Sequence, residues 1–157
     1  MDRRSGYNLV EVIIAMGILA WVLLAIAGLF SFGTRGVYSG KTQTKAAALA
    51  QKVVEDLRNF DTRTKRYAIF GYVATDSSST NKTYDSQTAT ALSDTLLQAI
   101  RTNWETQVEE LPKGYIECKL YNVGGTNLSN CTFIRYDLKV HWTEGERARE
   151  LTFNFAF

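Results

Sequence analysis

The hydrophobic pattern opens with an apolar run close to the amino terminus. Residues 12–30 contain no charged side chain, and an apolar run of this length is sufficient to span a membrane as a helix. Glu11 lies directly before this run and is the only charge in the apolar stretch that begins at Tyr7. Because a charge costs about 2.5–3.5 kcal/mol at the centre of an inserted helix, Glu11 indicates a functional need for a carboxylate at this place.

A second helical pattern follows between residues 41 and 60. Apolar positions recur there every three or four residues, which predicts an amphipathic helix that packs on a sheet. Its apolar stripe consists of Ala46, Leu49, Val53, Leu57 and Phe60, and its polar face of Lys45, Lys52, Glu55 and Arg58. Gly33, Gly36 and Gly40 separate the two helical segments, and they predict a bend or local unwinding between them.

The middle of the chain is more polar. Residues 61–90 are rich in Ser, Thr, Asn and Asp, which predicts an exposed loop. A small basic and aromatic cluster lies within it, and solvation is the favoured interpretation over an anion or DNA site. The cluster consists of Arg63, Lys65, Arg66 and Tyr67. Helical spacing returns over residues 91–111, and Pro112 and Gly114 then end that predicted helix. Its apolar side consists of Leu92, Leu96, Leu97, Ile100, Trp104, Val108 and Leu111.

The final third alternates between apolar and polar positions, which predicts three antiparallel strands. Their apolar faces hold Ile116, Cys118 and Leu120 in the first strand, Ile134, Tyr136, Leu138, Val140 and Trp142 in the second, and Leu151, Phe153, Phe155 and Phe157 in the third. The first turn falls within residues 122–130 and the second at residues 144–146. Together the patterns predict an α+β fold.

Composition agrees with one small domain attached to an apolar helix. The chain has 157 residues and a formal net charge of +2, which gives no reason to expect an acidic partner. The basic residues on the two sides of the apolar run are nearly balanced, so they do not set the orientation in a membrane. They are Arg3 and Arg4 before the run, and Arg35, Lys41 and Lys45 after it.

Cleavage after Gly6 would give Glu11 a partner, because the new amine of Tyr7 would lie one helical turn away from it. The leader MDRRSG, Gly6, Tyr7, Glu11 and the segment VIIAMGILAWVLLAIAGLF resemble the type IV pilin family. The resemblance implies cutting by prepilin peptidase between Gly6 and Tyr7, N-methylation of Tyr7, and a salt bridge of Glu11 in assembly. Tyr7 replaces the family's usual Phe, and Gly28 stands where major pilins have a helix-kinking proline.

The resemblance also implies a fold and a domain layout. A long amino-terminal helix would pack on a small antiparallel sheet of about three to four strands, here with an extra helix before the sheet. Residues 1–6 would be the leader, residues 7–33 the hydrophobic membrane and assembly helix, and residues 34–157 an extracytoplasmic globular domain. Two alternatives remain open: an uncleaved anchor, and a signal peptide cut after the pattern Ala25-Ile26-Ala27.

The terminal stretch VHWTEGERARELTFNF resembles PilV-type minor pilins and the I-type pseudopilins of secretion systems. The resemblance implies a minor pilin that is held in the bacterial inner membrane, with its carboxyl-terminal domain in the periplasm or outside, before it enters the extracellular pilus. Its partners would be other pilins through the helix, and prepilin peptidase. A minor pseudopilin of a type II secretion system, and a DNA-uptake or adhesion subunit at the pilus tip, are the alternatives.

The remaining chemistry-bearing residues are few. Cys118 and Cys131 lie on the two arms of the first predicted hairpin, and in an oxidising compartment we expect them to form a disulfide, with two buried thiols as the alternative. His141 alternates onto the polar face of its strand, where we expect it to be solvated. Two cysteines and one histidine are too few for a usual metal site. No spacing indicates a catalytic group, a cofactor or a small-molecule substrate, so we do not expect an enzyme.

Overall fold

The fold combines helices with one antiparallel sheet, as the sequence patterns predict. The structure, a computed structural model, describes residues 9–77 and 82–157. The leader and the predicted cleavage and methylation site, Gly6 and Tyr7, lie outside the described residues. The elements in chain order are α1 (Leu9–Asn59), α2 (Arg63–Ala68), β1 (Tyr84–Asp85), α3 (Thr95–Glu109), β2 (Tyr115–Val123), β3 (Phe133–Glu144) and β4 (Arg147–Ala156).

The chain divides into two compact units, Met1–Lys41 and Thr42–Phe157. The second unit therefore begins at Thr42, whereas the sequence placed the start of the globular domain at residue 34. Its core holds the second half of α1 together with α3 and one face of the sheet.

The bend predicted at the glycines is wrong, because α1 is a continuous helix of 51 residues that includes Gly33, Gly36 and Gly40. Glycine weakens a helix by about 1 kcal/mol relative to alanine, but it keeps the backbone N–H that continues the hydrogen-bond ladder. Proline removes that N–H and is absent from this region. The glycines therefore lower the stability of the helix locally without interrupting it.

The sheet has four strands in the order β1-β2-β3-β4, and every neighbouring pair is antiparallel. The three long strands and their inward-facing residues confirm the predicted alternation, with Ile116 opposite Val140 and Leu138 opposite Phe153. Gly145 has φ of +63° in the turn between β3 and β4, a conformation that glycine adopts without strain. The sequence missed β1, whose two residues are too short to form a pattern.

The helical faces pack on the inner face of the sheet. All five residues predicted for the stripe of α1 are buried, which confirms the amphipathic pattern. Helix α3 begins later than predicted, because Asp94 caps it by accepting hydrogen bonds from the N–H groups of Leu96 and Leu97. Leu96, which was predicted to lie on the apolar side, is 58% exposed, whereas Trp104 is fully buried.

The loop predicted over residues 61–90 is wrong in its first part. Residues 63–68 form α2, and the apolar residues of the sequence YAIFGY enter the core. Phe70 lies against three aromatic rings, with centroid distances of 5.3 Å to Tyr84, 5.9 Å to Trp104 and 6.2 Å to Tyr136. These apolar side chains bury enough surface to order a segment whose polar neighbours suggested a loop.

Candidate functional site

The largest exposed apolar surface of the described residues lies on the first part of α1. Its most apolar window has a mean hydropathy of 2.7, and none of that window is buried. Trp21 is 79% exposed and Phe32 is 75% exposed. Isolated soluble proteins rarely expose contiguous apolar surface of this extent, which indicates contact with a membrane or with other protein. Within the described residues, α1 is the one helix long and apolar enough to cross a membrane.

Glu11 lies in the first turn of this helix, and its side chain is exposed. It forms no salt bridge with the residues that the structure describes, and the next charge along the helix is Arg35. The hydroxyl group of Thr34, inside the apolar segment, donates to the carbonyl oxygens of Phe30 and Ser31, each at 3.1 Å. The hydroxyl group of Thr34 is thus satisfied within the helix, as an apolar environment requires.

The predicted basic cluster is used inside the fold, beginning with Arg63. One terminal nitrogen of its guanidinium group donates to the carbonyl oxygen of Cys131 at 2.5 Å, and the other donates to the carbonyl oxygen of Thr132 at 3.2 Å. These bonds join α2 to the connection that precedes β3. Arg63 therefore satisfies backbone groups of its own chain.

The other two cations of the cluster also have internal partners. Lys65 donates to Asp61 at 3.1 Å, and this contact lowers the pKa of the Asp61 carboxyl group. Arg66 donates to the carbonyl oxygen of Phe60 at 3.0 Å, and its guanidinium carbon lies 5.1 Å from the centre of the Phe157 ring. The interpretation of the cluster as a solvated loop is corrected, because Arg63 and Arg66 join α2 to the rest of the fold, although Lys65 pairs with Asp61 near the surface.

The two cysteines are free thiols in the structure, which corrects the expected disulfide. Cys118 is fully buried and Cys131 is 5% exposed. In the register of β2 and β3, Cys118 lies opposite Leu138, and Phe133, the first residue of β3, lies opposite Val123. Val123 is five residues, or about 17 Å, farther along β2 than Cys118. A disulfide needs Cα atoms within about 7 Å, so the register of β2 and β3 does not favour a bond between Cys118 and Cys131, which lies two residues before β3. Burial raises the pKa of the Cys118 thiol, which keeps it protonated and unreactive.

His141 is less solvated than the strand pattern suggested, and its side chain is 16% exposed. Its ring stacks on Tyr115 with centroids 4.3 Å apart and planes 8° apart. Its Nε2 atom lies 3.4 Å from Glu117 Oε2, and its Nδ1 atom lies 3.8 Å from Glu150 Oε2. The carboxylates therefore flank the ring from β2 and from β4 on the outer face of the sheet.

A buried charge network, which sequence reasoning missed, joins β1 to α3. Arg101 is 2% exposed, its Nε atom lies 3.3 Å from Glu105 Oε1, and its Nη2 atom donates to the carbonyl oxygen of Thr90. The hydroxyl group of Tyr84 donates to the same Glu105 oxygen at 3.1 Å, and burial raises the pKa of that hydroxyl above its usual value. Arg101 lies four residues before Glu105 and on the apolar side of α3, a spacing that could have indicated the pair.

The charged groups whose contacts are described above, apart from Glu11, have partners within the described residues of the chain. No group of three His, Cys, Asp or Glu residues in the described ranges is arranged to hold a metal ion. Comparisons of the chain with protein-family models, with curated proteins and with solved structures found no match.

Proposed function

We propose that this chain is a minor pilin, a structural subunit that prepilin peptidase cuts and that enters or primes a type IV pilus. The observation that carries the proposal is Glu11 in the first turn of an exposed apolar helix whose second half packs on an antiparallel sheet. The leader sequence before Tyr7 supports the same conclusion. Other pilins and minor pilins are the proposed partners along α1.

The proposed mechanism follows from the cost of isolated charge in apolar surroundings. Cutting after Gly6 frees the amine of Tyr7, which is then methylated, and this cation pairs with the Glu11 carboxylate of a neighbouring subunit. Each charge alone is strongly disfavoured inside a helix bundle, whereas the pair has no net charge. Neutralisation favours the correct stagger of neighbouring helices, and the subunit leaves the inner membrane only when the pair forms.

The same surfaces fit a minor pseudopilin of a type II secretion system, which is the second candidate. Deletion of the gene separates the two, because loss of pili indicates a pilin and loss of secreted enzymes indicates a pseudopilin. A DNA-uptake subunit has less support, because Arg63, Lys65 and Arg66 are engaged within the fold. Retention of DNA that falls steeply with salt and depends on these three residues would favour that third possibility.

The first experiment determines the amino terminus of the mature protein by mass spectrometry. The proposal expects a chain that starts at methylated Tyr7, and a Gly6→Leu variant that remains at precursor mass. A mature chain that starts after Ala27 would show a signal peptide, and a wild-type chain that keeps Met1 would show an uncleaved anchor. Either of those results contradicts the proposal.

The second experiment tests Glu11 in assembly. Glu11→Ala should be cut normally but should remain in the membrane fraction, with little in sheared filaments. Glu109→Ala is the matched control, because it removes an exposed carboxylate from α3 without touching α1. Incorporation of the Glu11→Ala subunit at the level of the control would refute the role of the carboxylate.

A further inference from the structure

The outer edge of β4 is free along its whole length in the described structure. β4 pairs with β3 alone, and the register runs without a bulge from Arg147 to Ala156. Phe157 and Ile134 exchange both backbone hydrogen bonds, at 2.9 and 3.1 Å. Bonded and non-bonded pairs alternate along an antiparallel ladder, so the N–H and C=O groups of Thr152 and Asn154 point away from β3. These groups are ready to pair with another strand.

The second half of this edge lacks the usual protection against pairing. Exposed edge strands usually carry charged residues, proline or bulges that prevent association. Residues 151–156, with the sequence LTFNFA, contain no charge and no proline, and the charges of β4 are confined to Arg147, Arg149 and Glu150. The edge is therefore open where its side chains are most apolar.

A groove lies beside this unprotected half, between β4 and α1. Its volume is about 490 Å³, and Phe153, Phe155 and Val54 provide its apolar surface. The inward row of β4 is only partly buried, in contrast to the fully buried row of β3. An added strand would cover the remaining apolar surface of these phenylalanines, which favours binding.

The rim of the groove carries two unused charges on α1. Glu55 and Arg58 line the groove, and neither makes an ion pair or a side-chain hydrogen bond with the described residues. They lie three residues apart, so they project on the same side of the helix. A partner that lies in the groove meets one negative and one positive group.

We propose that β4 accepts an extended segment of a different protein chain as a fifth strand. The inward face of that segment presents an apolar residue to the groove and then, at successive inward positions about 7 Å apart, a basic residue to Glu55 and an acidic residue to Arg58. A second copy of β4 fits less well, because its uncharged half brings Leu151, Phe153 and Phe155 and offers no carboxylate to Arg58. This inference stands on the groove and the strand edge, and it does not depend on the proposed function.

The test measures binding of fluorescent peptides to the full chain in detergent by anisotropy. The probe Thr-Leu-Thr-Lys-Thr-Glu-Thr places one cation and one anion at successive positions of the face that carries the leucine. Two control peptides replace both charged residues with lysine or both with glutamate. The mixed peptide offers an opposite charge to both Glu55 and Arg58 on α1, whereas each control places a like charge against one of them, so the mixed peptide should bind roughly tenfold more tightly than either control. Equal binding of the three peptides would overturn the proposal.

Two variants locate the peptide. Glu55→Lys makes both rim charges positive, so it should switch the preference to the peptide with two glutamates. Thr152→Pro removes an N–H that points to the free edge and should abolish binding, while Thr152→Ala should retain it. Circular dichroism checks the fold of the Thr152→Pro variant. If Thr152→Pro does not fold, the change of peptide preference in Glu55→Lys still tests the proposal.

Two outcomes would overturn the proposal at this surface. In the first, Glu55→Lys does not change which of the three peptides binds most tightly. The second is a homodimer of the full chain that binds no peptide and that Thr152→Pro dissociates, because this result would make a second copy the occupant.

Discussion

The contact between Trp104 and Asp56 should contribute strongly to the stability of the Thr42–Phe157 unit. Trp104 is fully buried, and its Nε1 atom donates to Asp56 Oδ2 at 2.7 Å across 48 residues of sequence. Lys52 lies 3.6 Å from the same oxygen, and the Asp56 side chain is 25% exposed. Trp104→Phe keeps an aromatic ring in the core but removes the donor and part of the buried surface.

The expected magnitude follows from these two losses. A hydrogen bond to a charged group contributes about 1.5–3 kcal/mol, and the remaining exposure of Asp56 lets water replace part of it. The smaller ring of phenylalanine adds a packing loss of about 1 kcal/mol. We therefore expect Trp104→Phe to lower the free energy of unfolding by about 2–3 kcal/mol, and Asp56→Asn, which keeps an oxygen acceptor, to lower it by about 1 kcal/mol.

The assay is urea unfolding of the full chain in detergent, followed by tryptophan fluorescence and compared as fitted free energies, because Trp104 also emits in the variants that keep it. Trp142 contributes to the signal in every variant. This side chain is 3% exposed and should become solvated when the unit unfolds, whereas Trp21 lies in the apolar part of α1. A double-mutant cycle of Trp104→Phe with Asp56→Ala should give a coupling energy of about 1–2 kcal/mol. Additive losses, with a coupling below about 0.4 kcal/mol, would refute the hydrogen bond as the source of the effect.

Three further predictions concern buried groups. Cys118 and Cys131 should both resist alkylation in the folded chain, and both should react once the chain is unfolded without reductant. Mass spectrometry counts the alkyl groups added, and an unfolded chain that gains none would show a disulfide. Burial raises the pKa of Tyr72 to about 12, so the folded state keeps its proton while the unfolded chain loses it near pH 10. Stability should therefore fall as pH rises from about 10 to 12, and less so in Tyr72→Phe, as measured by urea midpoints. Arg101→Met should lower the free energy of unfolding by about 3 kcal/mol in the same assay, because it leaves the carboxylate of Glu105 without its cation. Adding Glu105→Gln should restore part of this free energy.

Periodicity was sufficient to predict the larger elements. The stripe that includes Leu49 and Val53 and the alternation that includes Tyr136 and Leu138 extend over several turns or strand residues, so burial of one face leaves a clear pattern. These patterns identified the apolar faces of α1 and of the three long strands. The exposed apolar helix and its lone glutamate, which form the candidate site, were also visible because composition alone marks them.

The incorrect predictions concern short segments and features that depend on how the strands pair. Helix α2 has six residues, too few to show a period, and β1 forms because Tyr84 finds a partner in Cys118 on β2. The disulfide was expected from proximity along the hairpin, but the register places Leu138 opposite Cys118. The groove beside β4 was also invisible in sequence, because it depends on which strand lies at the edge of the sheet.

The glycines of α1 give this helix a defined mechanical weak point. A Cβ atom at Gly33, Gly36 or Gly40 would meet no atom within 4 Å, so alanine would fit at each position and the folded chain does not need the smaller residue there. Each glycine lowers the cost of leaving the helix by about 1 kcal/mol. A residue that changes from helix to extended chain lengthens its segment by about 1.8 Å, so opening residues 33–40 would add about 14 Å. Under tension, the chain should therefore yield here first and lengthen while the Thr42–Phe157 unit stays folded.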